Sequence, residues 1–294
     1  MGAVDLVLQE QMLESRVIAE FDAKPANALW VTMRRSPESR NQYFSLSLLN
    51  DMRDLLQLLK NNAVTWTADG AIKPVHYTVL QSEHPDYFSL GGDLGHFFSC
   101  IQKRDGEGLR AYSMQCLDMI YEWATLLNHQ ATTIALVQGR ALGGGFETAL
   151  SADFLIAEEH SEFGFPEILC GLFPCTGGMS LLARRVGVHQ AERIMTNGRI
   201  YTAAELKEMG VVDEVCPTGQ GTVAVESFIA SHAKRRTARL MLQRGRHRLA
   251  PLDYSELRTV VDEWVETALA LPADQLRALE MLSQMQRGGA AAAR

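Results

Sequence analysis

Ala141-Leu142-Gly143-Gly144-Gly145-Phe146-Glu147 is the stretch on which the reading of this chain turns. The apolar run Thr133 to Gln138 before it reads as a strand, and a short helix follows through Leu150. The three glycines therefore fall at the mouth of a helix. There the first amides lack an intrahelical acceptor and point outward beside the positive end of the dipole, which suits an anion. Gly144 and Glu147 stand three apart, so an amide and a carboxylate would share one side of that helix.

A second carboxylate follows in Phe163-Gly164-Phe165-Pro166-Glu167, a loop bordered by apolar side chains in which Pro166 stiffens the placement of Glu167. Upstream, Ser89-Leu90-Gly91-Gly92-Asp93 closes the region after the strand His76 to Gln81 and offers another exposed amide. Two such donors would make an oxyanion hole. Taken alone, a glutamate reads as solvated surface and a Gly-Gly-Gly run as close helix–strand packing. The run also lacks the Gly-Lys-Ser/Thr of a phosphate loop and is not a full GxGxxG, which disfavours nucleotide binding.

Working outward, Leu29 to Met33 reads as a strand, and Leu48, Leu49, Met52, Leu55, Leu56 and Leu59 recur at helical spacing. Asn61 to Pro74 reads as a surface loop. Leu109, Tyr112, Cys116, Ile120, Trp123 and Leu127 mark a long helix, and Phe154 to Ala157 another strand. Strands alternating with helices argue for an α/β architecture with largely parallel sheets. Thr202 with Glu205 forms a capping-box pattern, Gly210 ends that helix, and Val211 to Val215 resumes strand character. From Thr222 onward the periods are helical only, which divides the chain into a core, residues 1–220, and a helical C-terminal region, residues 221–294, whose final Gly288 to Arg294 is expected to fray.

The bulk properties set limits. With 294 residues, 47% hydrophobic and 21% charged, the chain can bury a large core. A net charge of −7 gives no global attraction to nucleic acid or an anionic membrane. No apolar run is long enough to span a bilayer, and the opening Met1 to Arg16 is too acidic and broken for a secretory signal, so a cytoplasmic protein is expected. Five cysteines, with no CxxC pair and no zinc-like spacing, read as reduced, mostly buried thiols; neither metal nor cofactor is expected.

The run Ile134 to Gly139, then Ala141 to Glu147, Phe163 to Leu169, Leu172-Phe173-Pro174 and Gly177-Gly178, continuing through Thr202 to Glu205 and Met209 to Asp213, resembles the enoyl-CoA hydratase/isomerase (crotonase) superfamily over roughly residues 25–220. That resemblance implies a crotonase-like spiral of ββα units with a helical C-terminal region for trimerisation, hence a homotrimer or higher homo-oligomer. It implies that Gly92 and Gly144 supply the oxyanion-hole amides and that Glu147 and Glu167 are the catalytic pair, which favours addition or elimination of water. Leu90, Gly91, Leu142, Gly143, Phe146, Leu172 and Trp264 are candidates for the pocket wall. Two carboxylates in one pocket should not both ionise, but the sequence leaves open which is acid and which is base.

Cys175 stands where hydratases usually have Gly or Asp, the Asn61 to Pro74 stretch looks inserted, and Ser82 to Phe98 contains no Lys or Arg for CoA phosphates. With Leu90 to Leu94, Leu172-Phe173-Pro174, Gly219-Gln220-Gly221 and Trp264 to Ala268, these features resemble the diffusible signal factor synthases. That resemblance implies dehydration of a 3-hydroxyacyl chain on acyl-carrier protein to the cis-2-enoyl form, hydrolysis of the thioester to a free fatty acid signal, and a regulatory sensor kinase. Arg235 and Arg239, in a basic stretch with no acidic residue from Ser227 to Leu252, are candidates for docking the carrier. Two rivals stand beside this reading: an ordinary hydratase acting on CoA thioesters, and a non-catalytic scaffold or RNA-binding protein. The basic stretch lacks the interleaved aromatics that would stack bases.

Overall fold

The computed structural model describes residues 15–35, 40–125, 127 and 130–288. The opening up to Glu14 and the tail beyond Gly288 lie outside the described residues. β1 (Val17–Asp22) pairs antiparallel with β2 (Ala28–Met33), and α1 (Leu46–Asn61) follows. Ser45 caps α1 by accepting from the Leu48 amide, and the leucines and Met52 read at helical spacing are all buried.

The expected loop after α1 is instead a hairpin, β3 (Thr65–Ala68) with β4 (Ala71–Pro74), turning at Asp69-Gly70 with both φ positive. An Asp-Gly turn of that kind matches the right-handed twist of paired strands. Next come β5 (Tyr77–Ser82), β6 (Tyr87–Ser89), α2 (Leu94–Lys103), α3 (Gly106–Thr125), β7 (Thr132–Val137), β8 (Arg140–Leu142) and α4 (Gly144–Leu150). β9 (Phe154–Glu158) and β10 (Glu162–Gly164) lead into a 3-10 turn, Pro166–Cys170. α5 (Gly178–Val186), α6 (Val188–Thr196), β11 (Ile200–Thr202), α7 (Ala203–Glu208) and β12 (Glu214–Cys216) complete the alternation. The Thr202/Glu205 capping box is present and Gly210 has φ +80°. The strand expected over Val211 to Val215 forms only at Glu214–Cys216: Val211 and Val212 instead donate back to the Leu206 carbonyl at the helix end, burying their side chains.

The main sheet has order β1-β2-β5-β7-β9-β12, parallel except for its first pair, and the second has order β11-β10-β8-β6, parallel except at β11. Consecutive strands thus step between two sheets, with helices as crossovers, in a mixed α/β architecture. The core strands are buried along their length, as β7 illustrates with all six residues.

Four helices end the described chain: α8 (Gly221–Ala233), α9 (Arg236–Leu249), α10 (Tyr254–Leu269) and α11 (Ala273–Gln286). α8 lays Val225 and Ile229 against Val79, Ile134, Leu136 and Ile156 on one face of the main sheet. α10 and α11 turn back over α3 and α2, and bring Trp264 and Leu279 into the larger core on the other face. No described helix is long and apolar enough to cross a membrane.

Candidate active site

The glycine run does what its place in sequence requires. Gly143 precedes α4 with φ +53° and ψ −127°, and its carbonyl accepts the first amides of the helix, from Phe146 at 2.9 Å and Glu147 at 3.0 Å. A Cβ here would lie 2.3 Å from Glu167 Oε1, so space as well as backbone conformation demands glycine. Gly145 packs on β6, where a Cβ would meet the Ser89 carbonyl at 2.1 Å.

Gly91 and Gly92 approach this turn from the end of β6. A Cβ on Gly91 would be 2.8 Å from the Gly144 nitrogen, and one on Gly144 would be 3.6 Å from the Gly92 nitrogen. The two amides are thus neighbours, and among the described residues neither donates to a protein acceptor. The Gly92 amide is aimed by its own peptide plane, because Phe44 N–H holds the Gly91 carbonyl on the other side at 2.8 Å. Both glycines line one pocket together with Glu147 and Glu167.

The carboxylates sit in different surroundings. Glu147, 2% exposed on α4, receives three hydrogen bonds: Thr176 N–H and Gly178 N–H to Oε1 at 2.9 and 2.7 Å, and the Thr176 hydroxyl to Oε2 at 2.5 Å. Burial raises its pKa and these donors pull it back. Glu167, set by Pro166 at the first position of the 3-10 turn, has a buried Oε2 with no partner. Burial and then the nearby Glu147 charge push Glu167 up to about 8. Glu147 thus has three donors that favour its charged form, while Glu167 has an unpartnered oxygen and a raised pKa, the kind of unequal setting that an acid/base pair uses.

Of the expected wall residues, Leu90, Gly143, Leu172 and Trp264 line the pocket. Phe146, Leu142 and Gly91 do not: Phe146 turns away from Glu147 and stacks on Phe165 and against Phe163, Leu142 belongs to β8, and Gly91 acts by backing the Gly144 amide. The structure adds Phe97, Ile120, Phe173, Leu279 and Leu282, so most of the remaining wall is apolar. It also adds Thr176, whose only sequence signal is its place before the quoted Gly177-Gly178.

All five cysteines are buried and free. Cys175 lines the pocket, but burial first and the neighbouring Glu147 next hold its thiol well above the usual range, so it is a poor nucleophile. In the basic stretch, Arg246 pairs with buried Asp153 at 2.7 Å and Arg236 donates to the Gln130 carbonyl, so these two serve the fold. Arg235 is exposed and Arg239 half-buried, on the layer of helices that covers the other face of the main sheet from the pocket.

A family model described as Enoyl-CoA hydratase/isomerase matches residues 24–245. Among curated relatives, an enoyl-CoA isomerase/hydratase of Mycosarcoma maydis is 33% identical over 182 residues, 62% of this chain and 62% of that protein. A probable enoyl-CoA hydratase of Rhizobium meliloti is 36% identical over 126 residues, 43% of this chain and 49% of that one. The chain thus spans about half to two thirds of the length of these relatives. Two solved structures share the fold: an enoyl-CoA hydratase from Bacillus halodurans, with TM-score 0.72, 23% identity and coverage of 90% of this chain and 99% of that one, and a human mitochondrial delta3-delta2-enoyl-CoA isomerase, with TM-score 0.72, 23% identity and coverage of 94% and 100%.

Proposed function

The chain belongs to the enoyl-CoA hydratase/isomerase family, and from that premise we propose that it adds water to, or removes it from, the C2–C3 bond of an acyl thioester. The observation that carries this reading is the unequal pair, Glu147 with three donors and Glu167 with an unpartnered buried oxygen, facing the Gly92 and Gly144 amides. The thioester oxygen accepts from the two amides, which stabilise the enolate-like charge; one such donor is worth about 3–4 kcal/mol in an enclosed site. In hydration, ionised Glu147 takes a proton from the water that attacks C3, and protonated Glu167 gives its proton to C2. In dehydration, Glu167 removes the C2 proton and Glu147 protonates the departing hydroxyl. An isomerase needs only to move one proton between carbons, so the presence of both groups favours the water reaction. The names of the relatives support CoA as the carrier.

A second reading, cis-2-enoyl signal synthesis on acyl-carrier protein with thioester release, finds support in two features. No Lys or Arg lies between Ser82 and Phe98 to hold CoA phosphates, and the pocket wall of Phe97, Ile120, Trp264, Leu279 and Leu282 is apolar, as an acyl chain requires. Glu147 can take a proton from water that attacks the thioester carbonyl while the amides hold the tetrahedral oxyanion, and return it to the thiolate as the C–S bond breaks, so hydrolysis requires no further residue. The homotrimer and the sensor kinase rest on the sequence resemblance alone. One experiment separates the readings: a 3-hydroxyacyl series on CoA and on carrier protein is turned over in ¹⁸O water and the products weighed. The enoyl thioester alone, formed on CoA, fits the hydratase; labelled free acid formed from the carrier-linked substrate fits the synthase; no change in either substrate rejects both.

A further inference from the structure

Gln286 touches the site from the far end of the chain. Its Nε2 donates to the Gly92 carbonyl at 2.8 Å, and its Oε1 accepts from the Leu94 amide at 2.9 Å. A carboxamide carries both a donor and an acceptor, which this pairing requires. The side chain is 4% exposed, so either bond, if lost, leaves a buried polar group without a partner.

The bonds act on the peptide next to the candidate oxyanion amide. Gly92 is the residue with the widest backbone freedom, and a free Gly92 could swing its N–H out of the pocket. Its preceding plane is held through the Gly91 carbonyl by Phe44 N–H. Its following plane is held at the carbonyl by Gln286 and at the Asp93 N–H by the Tyr112 hydroxyl at 2.8 Å. The end of α11 is itself tied down, because Asn41 Nδ2 donates to the Met285 and Gln286 carbonyls at 3.1 and 2.7 Å. One and two turns back on the same helix, Leu282 and Leu279 line the apolar pocket.

We propose that Gln286 is a positioning residue that couples the seating of α11 over the acyl pocket to the aim of the Gly92 amide. This rests on the reading of Gly92 as an oxyanion donor. It follows that an acyl chain which lifts Leu279 and Leu282 loosens the amide, so chain-length preference is read in kcat as well as in KM.

The test uses the full chain with Gln286→Glu and Gln286→Leu. Glu keeps the acceptor for Leu94 and loses the donor to Gly92 while ionised; protonated, it regains both. Steady-state kinetics on a 2-enoyl-CoA are paired with difference infrared spectroscopy of the thioester carbonyl of bound octanoyl-CoA, and thermal melts confirm folding. Misaiming one amide should lower kcat about 10- to 100-fold, with little change in KM. The downshift of the bound carbonyl should shrink in both variants. The activity of Gln286→Glu relative to wild type should rise as pH falls and the new carboxyl takes up a proton. Wild-type kcat and carbonyl shift in a folded Gln286→Glu, or a loss confined to KM, overturn the latch while leaving the hydratase reading intact. A wild-type protein that neither turns over enoyl-CoA nor shifts the carbonyl overturns that reading, and the latch with it.

Discussion

Asp153 and Glu147 are buried carboxylates six residues apart, at opposite ends of the α4-to-β9 connection, and the protein holds them oppositely. Asp153 accepts from the Thr133 amide and hydroxyl, both at 3.0 Å, from the Arg246 guanidinium at 2.7 Å and from the His247 ring at 2.8 Å. Burial alone would raise its pKa, but these groups outweigh it and hold Asp153 below the ordinary range. Among the described residues Glu147 has three neutral donors and no ion pair, and stays raised; Glu167 has an unpartnered oxygen and rises to about 8. Burial is common to all three, so it does not mark a reactive group. What separates Asp153 from Glu167 is the counter-charge, and without it the Glu167 pKa lies near neutral pH.

The contrast breaks most sharply by mutation. Glu147→Gln and Glu167→Gln should each fold normally and lose water addition by at least about 10²-fold, because the amide keeps the volume and removes the proton transfer. Single-turnover rates with circular dichroism check this. Asp153→Asn should do the reverse: it should lose about 2–3 kcal/mol of stability by urea titration, through weakened charged hydrogen bonds, with kcat nearly unchanged.

pH sharpens the same comparison. Glu167 has a folded pKa above its unfolded one, so its contribution to stability is full below about 4.5 and is lost as pH rises toward about 8. Asp153 has a depressed folded pKa, so its contribution is present above about 3.8 and is lost as pH falls below that. Glu167→Gln should flatten the stability curve on the neutral side, and Asp153→Asn on the acid side. The smallest effect is expected on the helix layer behind the main sheet: charge reversal at Arg235 and Arg239 should raise KM for an acidic carrier-linked substrate, by an amount that shrinks with salt, and leave kcat and a pantetheine thioester untouched.

What could be read from the sequence follows the range of the interactions. The Gly143 to Glu147 turn was legible because its glycines, its helix start and its carboxylate are contiguous, and Glu167 because Pro166 fixes it locally. Phe146 was misplaced because adjacent helix positions face about 100° apart, and Phe165 and Phe163 offered it a stacking site away from Glu147. The hairpin at Thr65 to Pro74 reads as a loop because its strands, half of whose residues are exposed, carry little apolar alternation, although Asp69-Gly70 is a turn signal. Thr176 and Gln286 had no pattern to betray them, since each bonds to a group 29 and 194 residues away, respectively.

The central claim is that Glu167 enters the reaction carrying the proton that Glu147 lacks. Its most direct test is the pH dependence of kcat for water addition to a 2-enoyl thioester, presented on CoA and on pantetheine. The account predicts that the rate falls with a single ionisation near pH 8 on both carriers, as Glu167 loses its proton. A rate that is flat through that pH, or one that rises across it, would contradict the account.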